Sequence, residues 1–317
     1  MPAKRHPLGK TGLEISPLVL GGNVFGWTAD EATSFRLLDA YAAAGGNLVD
    51  TADMYSAWAP GNKGGESETV IGKWFRHPGN REKVLIATKV GKEMGPGRKG
   101  LSRAYILRAA EDSLRRLRTD RIDLYQSHED DPDTPLAETL EAYAQLVREG
   151  KVRAIGASNY GAKRLSEALE ESERHGFPAY RSLQPRYNLY DRTEYETDLE
   201  PLCVERGLGV IPYFPLASGF LSGKYRSEKD LGGSARAEYV KGYLDERGRR
   251  ILEALEQTAR RHGSTLAAVA VAWVIARTSV TAPIASATSL DQLGDLIEAT
   301  NLVLDPSSIE LLDRAGG

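Results

Sequence analysis

Four residues in the first half of the chain could together move a proton onto a polar double bond: Asp50, Tyr55, Lys89 and His128. Each stands where a short apolar run gives way to polar sequence. NLVD ends at Asp50 with Tyr55 in the segment that follows, VLIAT runs into Lys89, and IDLYQS runs into His128. A free phenol, with a pKa of about 10, is a poor donor at neutral pH. A neighbouring ammonium stabilises phenolate and lowers that pKa, while a carboxylate keeps the ammonium charged and in place. An imidazole on the other side can donate to a carbonyl oxygen and orient it. Such a set can protonate a carbonyl oxygen as hydride reaches its carbon, and the hydride must come from a cofactor because no side chain carries one. Taken singly, these residues have plainer accounts: a turn aspartate, a solvated lysine, a core histidine. Four complementary groups at three successive run ends outweigh those accounts. Asp53 reads as a local turn-former through its side chain.

The rest of the chain supplies the elements that must bring the four together. Eight short apolar runs read as strands, at 18–22, 47–50, 84–88, 122–126, 152–157, 181–185, 208–213 and 280–285. Helical patterns fall at 31–44, 67–76, 103–118, 136–149, 161–175, 194–206 and 289–300. In the third of these, Ile106, Leu107, Ala110, Leu114 and Leu117 recur at helical spacing. Strand-helix alternation implies a parallel sheet, and eight units in one chain of 317 residues imply a closed (β/α)8 TIM barrel, one domain over 1–317. A doubly wound nucleotide fold would show GxGxxG after its first strand, and LVLGGNVFGW lacks that spacing. LGKTGLEIS, with glycines at 9 and 12, predicts an N-terminal β-hairpin before the barrel. Residues 264–277 predict an extra helix capped by Ser264 or Thr265, so the barrel should carry extra C-terminal helices. The glycine-rich stretch 214–243 is too long for an ordinary connection and reads as a functional loop. In such a barrel, chemistry gathers at the C-terminal strand ends, where all four residues stand.

In these motifs the chain resembles the aldo-keto reductases over nearly its whole length. DTADMY has the family's Asp-to-Tyr spacing, ATKV its lysine, and SHEDDPDTPLAETL its histidine. The nearest likeness is to the branch that holds potassium-channel β-subunits and bacterial relatives. The resemblance implies Tyr55 as general acid, Asp50 and Lys89 as the pair that tunes it, and His128 as the group that orients the carbonyl. It also implies a nicotinamide cofactor. Ser158, Asn159 and Gln184 would meet the carboxamide, and Tyr213 would stack on the ring. Gly22, Asn23, Pro215, Leu216 and Ser218 would line the cofactor, with Lys224 and, from SARAEYVKGY, Arg236 near its phosphates. In PIASATSLDQLGDL, Ser286 stands where relatives have glycine, and Thr288 where many have a basic residue. Gln292 is retained and Asp295 falls near the adenine-contacting acid. A basic residue there would grip a 2′-phosphate. Hydroxyl and amide contacts from Thr288 and Gln292 can serve instead, so the resemblance favours NADPH and leaves NAD open.

Val24, Phe25, Trp27 and Trp58 are expected at the pocket mouth, where aromatic walls suit apolar carbonyls or sugar rings. Formal net charge is −3 with no basic tract, which disfavours nucleic acid. No run approaches the roughly 20 apolar residues of a membrane helix. The single cysteine, Cys203, suits a reducing compartment, so a cytoplasmic protein without metal is expected, its oligomeric state open. The function expected is reduction of an aldehyde or ketone, or its reverse. Two alternatives stand beside it: a channel β-subunit-like binding module with residual redox activity, and an NAD-dependent sugar or alcohol dehydrogenase.

Overall fold

All eight apolar runs become strands of one parallel sheet. The computed structural model describes residues 4–232 and 236–317, so Ser234 and Ala235 of the SARA motif lie outside the described residues. Strands β1 (His6–Pro7) and β2 (Glu14–Ile15) pair antiparallel as the expected hairpin. The barrel strands are β3 (Val19–Gly21), β4 (Leu48–Asp50), β5 (Leu85–Val90), β6 (Ile122–Ser127), β7 (Val152–Ser158), β8 (Ser182–Gln184), β9 (Gly209–Val210) and β10 (Ile284–Ala285). Each pairs with the next in parallel from β3 to β9, and β10 lies against β3. Backbone bonds from Thr281 to Val210 and from Ile284 to Pro212, with a bridge between Tyr213 and Ile284, join the last two strands and close the (β/α)8 barrel.

Strand periodicity of two decides what reaches the mouth. Val19, Leu48, Ala87, Leu124, Ala154, Ile211 and Ile284 fill the barrel interior, and Leu8, Leu13 and Ile15 of the hairpin region pack into the same cluster. Burying each larger aliphatic side chain of this layer contributes about 1.5–3 kcal/mol. Two residues further along the same chains come Gly21, Asp50, Lys89, Gln126, Gly156, Tyr213 and Ser286. The layer above the apolar one is thus polar, broken by two glycines. A Cβ on Gly21 would collide with the Ser286 hydroxyl, and one on Gly156 with that of Ser182.

The helices run at Glu31–Ala43, Glu66–Trp74, Arg103–Leu117, Leu136–Arg148, Ala162–His175 and Leu290–Ala299, close to expectation. The stretch 194–206 divides into a π-helical turn, Tyr195–Leu199, and a helix, Glu200–Arg206. Pro201 has no N–H to continue a regular helical ladder through that junction. Thr265, rather than Ser264, caps the helix Leu266–Ile275 by accepting from Ala268 N at 3.1 Å. The long helix Glu246–His262 is an addition to the sequence-derived elements, although Asp245 caps it and Ile251, Leu255 and Thr258 mark its buried face. A last helix, Pro306–Gly316, packs beside it. Among the described residues no helix is long and apolar enough to cross a membrane.

Candidate active site

Strand β4 delivers Asp50 and β5 delivers Lys89, both fully enclosed. The Lys89 ammonium donates to Asp50 Oδ2 at 2.6 Å, to the Thr51 carbonyl at 2.8 Å and to the Tyr55 oxygen at 2.8 Å. All three of its protons are used. The Tyr55 hydroxyl donates in turn toward Asp50 Oδ2 at 3.4 Å. Burial pushes the Tyr55 phenol well above its ordinary range, and the Asp50 charge pushes it further. The Lys89 ammonium in contact favours phenolate, while burial and the Asp50 charge oppose it. Tyr55 keeps its proton at neutral pH, the state a donor needs, with an ammonium in contact to stabilise phenolate once the proton leaves. Burial also pulls Lys89 below its usual value, against the opposing pull of Asp50.

The second oxygen of Asp50 is held from the far side of the barrel. Gln184 at the end of β8 donates to Oδ1 at 2.9 Å and Gln126 of β6 at 3.3 Å. Gln126 is absent from the residues expected at the site, yet its polarity two positions after the inward Leu124 was a usable signal. His128 closes the mouth opposite, its ring edge-on to Tyr55 at 5.8 Å. Burial, then the charges of Lys89 and Lys92, hold the imidazole well below its usual pKa, so it is neutral at pH 7. Its Nδ1 is buried and makes no hydrogen bond within the protein. Asn159 donates to the His128 carbonyl at 2.8 Å and accepts from the Tyr213 hydroxyl at 2.8 Å, while Ser158 donates to the Gln184 carbonyl at 2.9 Å. Backbone strain gathers here as well. Ser56, Asn159, Phe214, Ala217 and Ser218 all take left-handed φ values between 46° and 71°, conformations that cost non-glycine residues energy and cluster at functional sites.

A cavity of about 640 Å³ opens above these groups, and a groove of about 140 Å³ continues from it. Asn23, Phe214, Ser218, Arg236 and Ser286 line both, making one trench. Ser158, Asn159, Gln184 and Tyr213 face its wide end, where Trp27 and Trp58 meet edge-to-face at 5.6 Å. Pro215, Leu216, Lys224, Gln292 and Asp295 line the groove. Gly22 lies just behind, its N–H bonded to the Asp50 carbonyl at 2.7 Å. Three expectations need correction. Val24 and Phe25 are fully buried in the core under the first loop, because that turn points their side chains inward and leaves Trp27 at the mouth. Thr288 is outside the groove lining: its N–H and hydroxyl both bond the Gln292 side-chain oxygen, at 2.9 and 3.1 Å. The donor set nevertheless suits a nicotinamide dinucleotide, with amides and hydroxyls at one end, the cations Lys224 and Arg236 in the groove, and Gln292 and Asp295 beyond.

Asp53 is not a turn-former. Its carboxyl is buried and neither oxygen makes a hydrogen bond in good geometry. Burial raises its pKa to about 8, Glu68 adding to the rise and Arg116, the Met54 N–H and Arg98 opposing it. Its unfolded value is about 3.9. The folded protein therefore holds a proton that the unfolded chain has released, and stability falls as pH rises from the lower value to the higher. Asp53→Asn removes this dependence. From pH 5 to pH 8 the variant should gain on the wild type by on the order of 4 kcal/mol, read from denaturant unfolding at both pH values. A constant offset between the two proteins would refute the assignment.

A closed (β/α)8 barrel with Asp, Tyr, Lys and His at three consecutive strand ends and a nucleotide-sized trench above them defines a class. Residues 17–316 match the Aldo/keto reductase family model, and the chain belongs to that family. It is 40% identical over 314 residues to the uncharacterized oxidoreductase YrpG of Bacillus subtilis, covering 96% of this chain and 94% of that protein. It is 33% identical over 327 residues to protein tas of Escherichia coli, covering 94% and 93%. With the aldo-keto reductase ausK of Emericella nidulans it shares 33% identity over 324 residues, 96% of this chain and 79% of the relative.

Proposed function

We propose that this oxidoreductase reduces an aldehyde or ketone to an alcohol with NAD(P)H, or runs the reverse reaction, with Tyr55 as general acid. The observation that carries the proposal is a single ammonium, Lys89, bonded at once to a buried carboxylate and to the Tyr55 phenol, which lines the cavity beside His128. Ser158, Asn159, Gln184 and Tyr213 would hold the nicotinamide end of such a cofactor, which would supply the hydride. Neutral His128 can donate one ring N–H to the carbonyl oxygen and orient it against Tyr55. As charge grows on that oxygen, Tyr55 gives up its proton and Lys89 stabilises the phenolate left behind. Asp50, fixed by Gln126 and Gln184, keeps the ammonium in register. Trp27 and Trp58 form an aromatic wall at the wide end of the cavity. Incubation of the protein with aromatic aldehydes and each reduced cofactor should give alcohol, and absence of turnover with both cofactors across the set would sink the proposal.

NADPH remains the proposed cofactor, with Lys224 and Arg236 set to offset phosphate charge. One observation supports a second reading, NAD-dependent oxidation of an alcohol: at the Gln292 end the described lining holds the acid Asp295 and no cation. Thr288→Arg should place a cation there and raise the preference for NADPH over NADH by roughly tenfold. The ratio of the two dissociation constants, from quenching of tryptophan fluorescence, is the readout. An unchanged ratio would show that a side chain at position 288 does not reach the cofactor's 2′-position.

A further inference from the structure

The charges around the wide cavity are unevenly committed. Among the described residues lining it, the ionic side chains are Asp50, Lys92, Arg186 and Arg236. Asp50 is neutralised by Lys89 at 2.6 Å. Arg186 lies over the Phe214 ring at 5.9 Å and interacts with Tyr213, with Asp191 nearby. Arg236 lines the groove as well and lies 6.0 Å from the Trp27 ring. Lys92 has one ionic contact among the described residues, Glu129 at 3.8 Å, and both partners are partly exposed. A pair that long and that wet holds its members weakly. The other acids of the EDD turn are engaged elsewhere: Asp130 with Arg164 at 2.9 Å, and Asp131 with Leu101 N at 2.6 Å and the Thr134 hydroxyl at 2.7 Å.

We propose that Lys92 makes this mouth selective for carbonyl substrates that carry a carboxylate on an aromatic or otherwise planar body. The proposal rests on the carbonyl-reductase reading above and names its substrate class. Trp27, Trp58 and the Tyr55 ring give the planar body its walls, Trp58 meeting Tyr55 at 6.0 Å. The Lys92 ammonium gives the carboxylate its partner by exchanging its long, partly exposed contact with Glu129. The field of Lys92 reaches the reacting centre, since it adds to the depression of His128 that burial and Lys89 begin. A substrate anion would offset that field.

The test compares 2-, 3- and 4-carboxybenzaldehyde with their neutral methyl esters, using the full chain and reduced cofactor. In at least one isomer the acid should exceed its ester in kcat/KM by roughly tenfold at low salt, and the ratio should shrink as salt screens the pair. Lys92→Met should bring that ratio to near one, Lys92→Glu should invert it, and Lys92→Arg should preserve it. Esters reduced as well as acids in all three isomers, or a ratio that Lys92→Met leaves unmoved, would overturn the subsite while leaving carbonyl reduction intact. No turnover of acids or esters would overturn the carbonyl-reductase reading itself, and the substrate class with it.

Discussion

Tyr55→Phe is expected to lower kcat for carbonyl reduction by roughly a hundred- to ten-thousand-fold, the usual contribution of a positioned general acid. The substitution removes one oxygen and little else. Lys89 keeps its bonds to Asp50 and to the Thr51 carbonyl, so the buried charge pair survives. The ring itself stays wedged between Trp58 and His128. Stability and cofactor affinity should therefore stay near wild type, the latter followed by quenching of tryptophan fluorescence. Loss of turnover with retained binding isolates the proton donor. Turnover within a few-fold of wild type would mean that another group, such as a water ordered by His128, delivers the proton.

Lys89→Met is expected to cost both activity and stability. Asp50 would be left buried without a countercharge, held only by Gln126, Gln184 and the long bond from Tyr55. Breaking a buried ion pair by removing one partner typically costs 3–5 kcal/mol, roughly 5–8 °C in Tm for a chain of this size. The double variant Asp50→Asn/Lys89→Met separates the two roles. Without either charge, most of the lost stability should return, since replacing both members of a buried pair is often nearly neutral. Activity should not return, because the ammonium that stabilises phenolate is still missing. A double variant no more stable than Lys89→Met would show that the loss comes from packing rather than from the stranded carboxylate.

The barrel was legible because its strands carry a period-two code and its helices a 3.6-residue one. Leu48 then Asp50, Ala87 then Lys89, and Leu124 then Gln126 each step from the apolar interior to the polar mouth. Asp50, Lys89 and His128 could be placed at strand ends by that rule, with Tyr55 in the loop after Asp50, and the family match then covered residues 17–316. Other features were hidden for physical reasons. The helix Glu246–His262 is separated from β9 by the long stretch 214–243 and is followed by a second helix, Leu266–Ile275, so simple strand-helix alternation gave it no place. Val24 and Phe25 share a loop with Trp27, and nothing in their types reveals that the turn buries two and exposes the third. Asp53 looks like a turn residue from its neighbours, whereas its buried, unbonded carboxyl depends on how the segment packs near Glu68 and Arg116. The engagement of Thr288 with Gln292 is a matter of side-chain geometry at one helix start.

The most direct measurement of the central claim follows one hydrogen. An aromatic aldehyde is incubated with the protein and a reduced nicotinamide dinucleotide deuterated on the transferring face of C4, and the product is read by mass spectrometry. With both C4 epimers supplied, one should yield alcohol carrying a single deuterium on the former carbonyl carbon, the hydroxyl proton coming from solvent through Tyr55. Absence of alcohol with either epimer, while cofactor binding still quenches tryptophan fluorescence, would contradict the assignment of this site to carbonyl reduction.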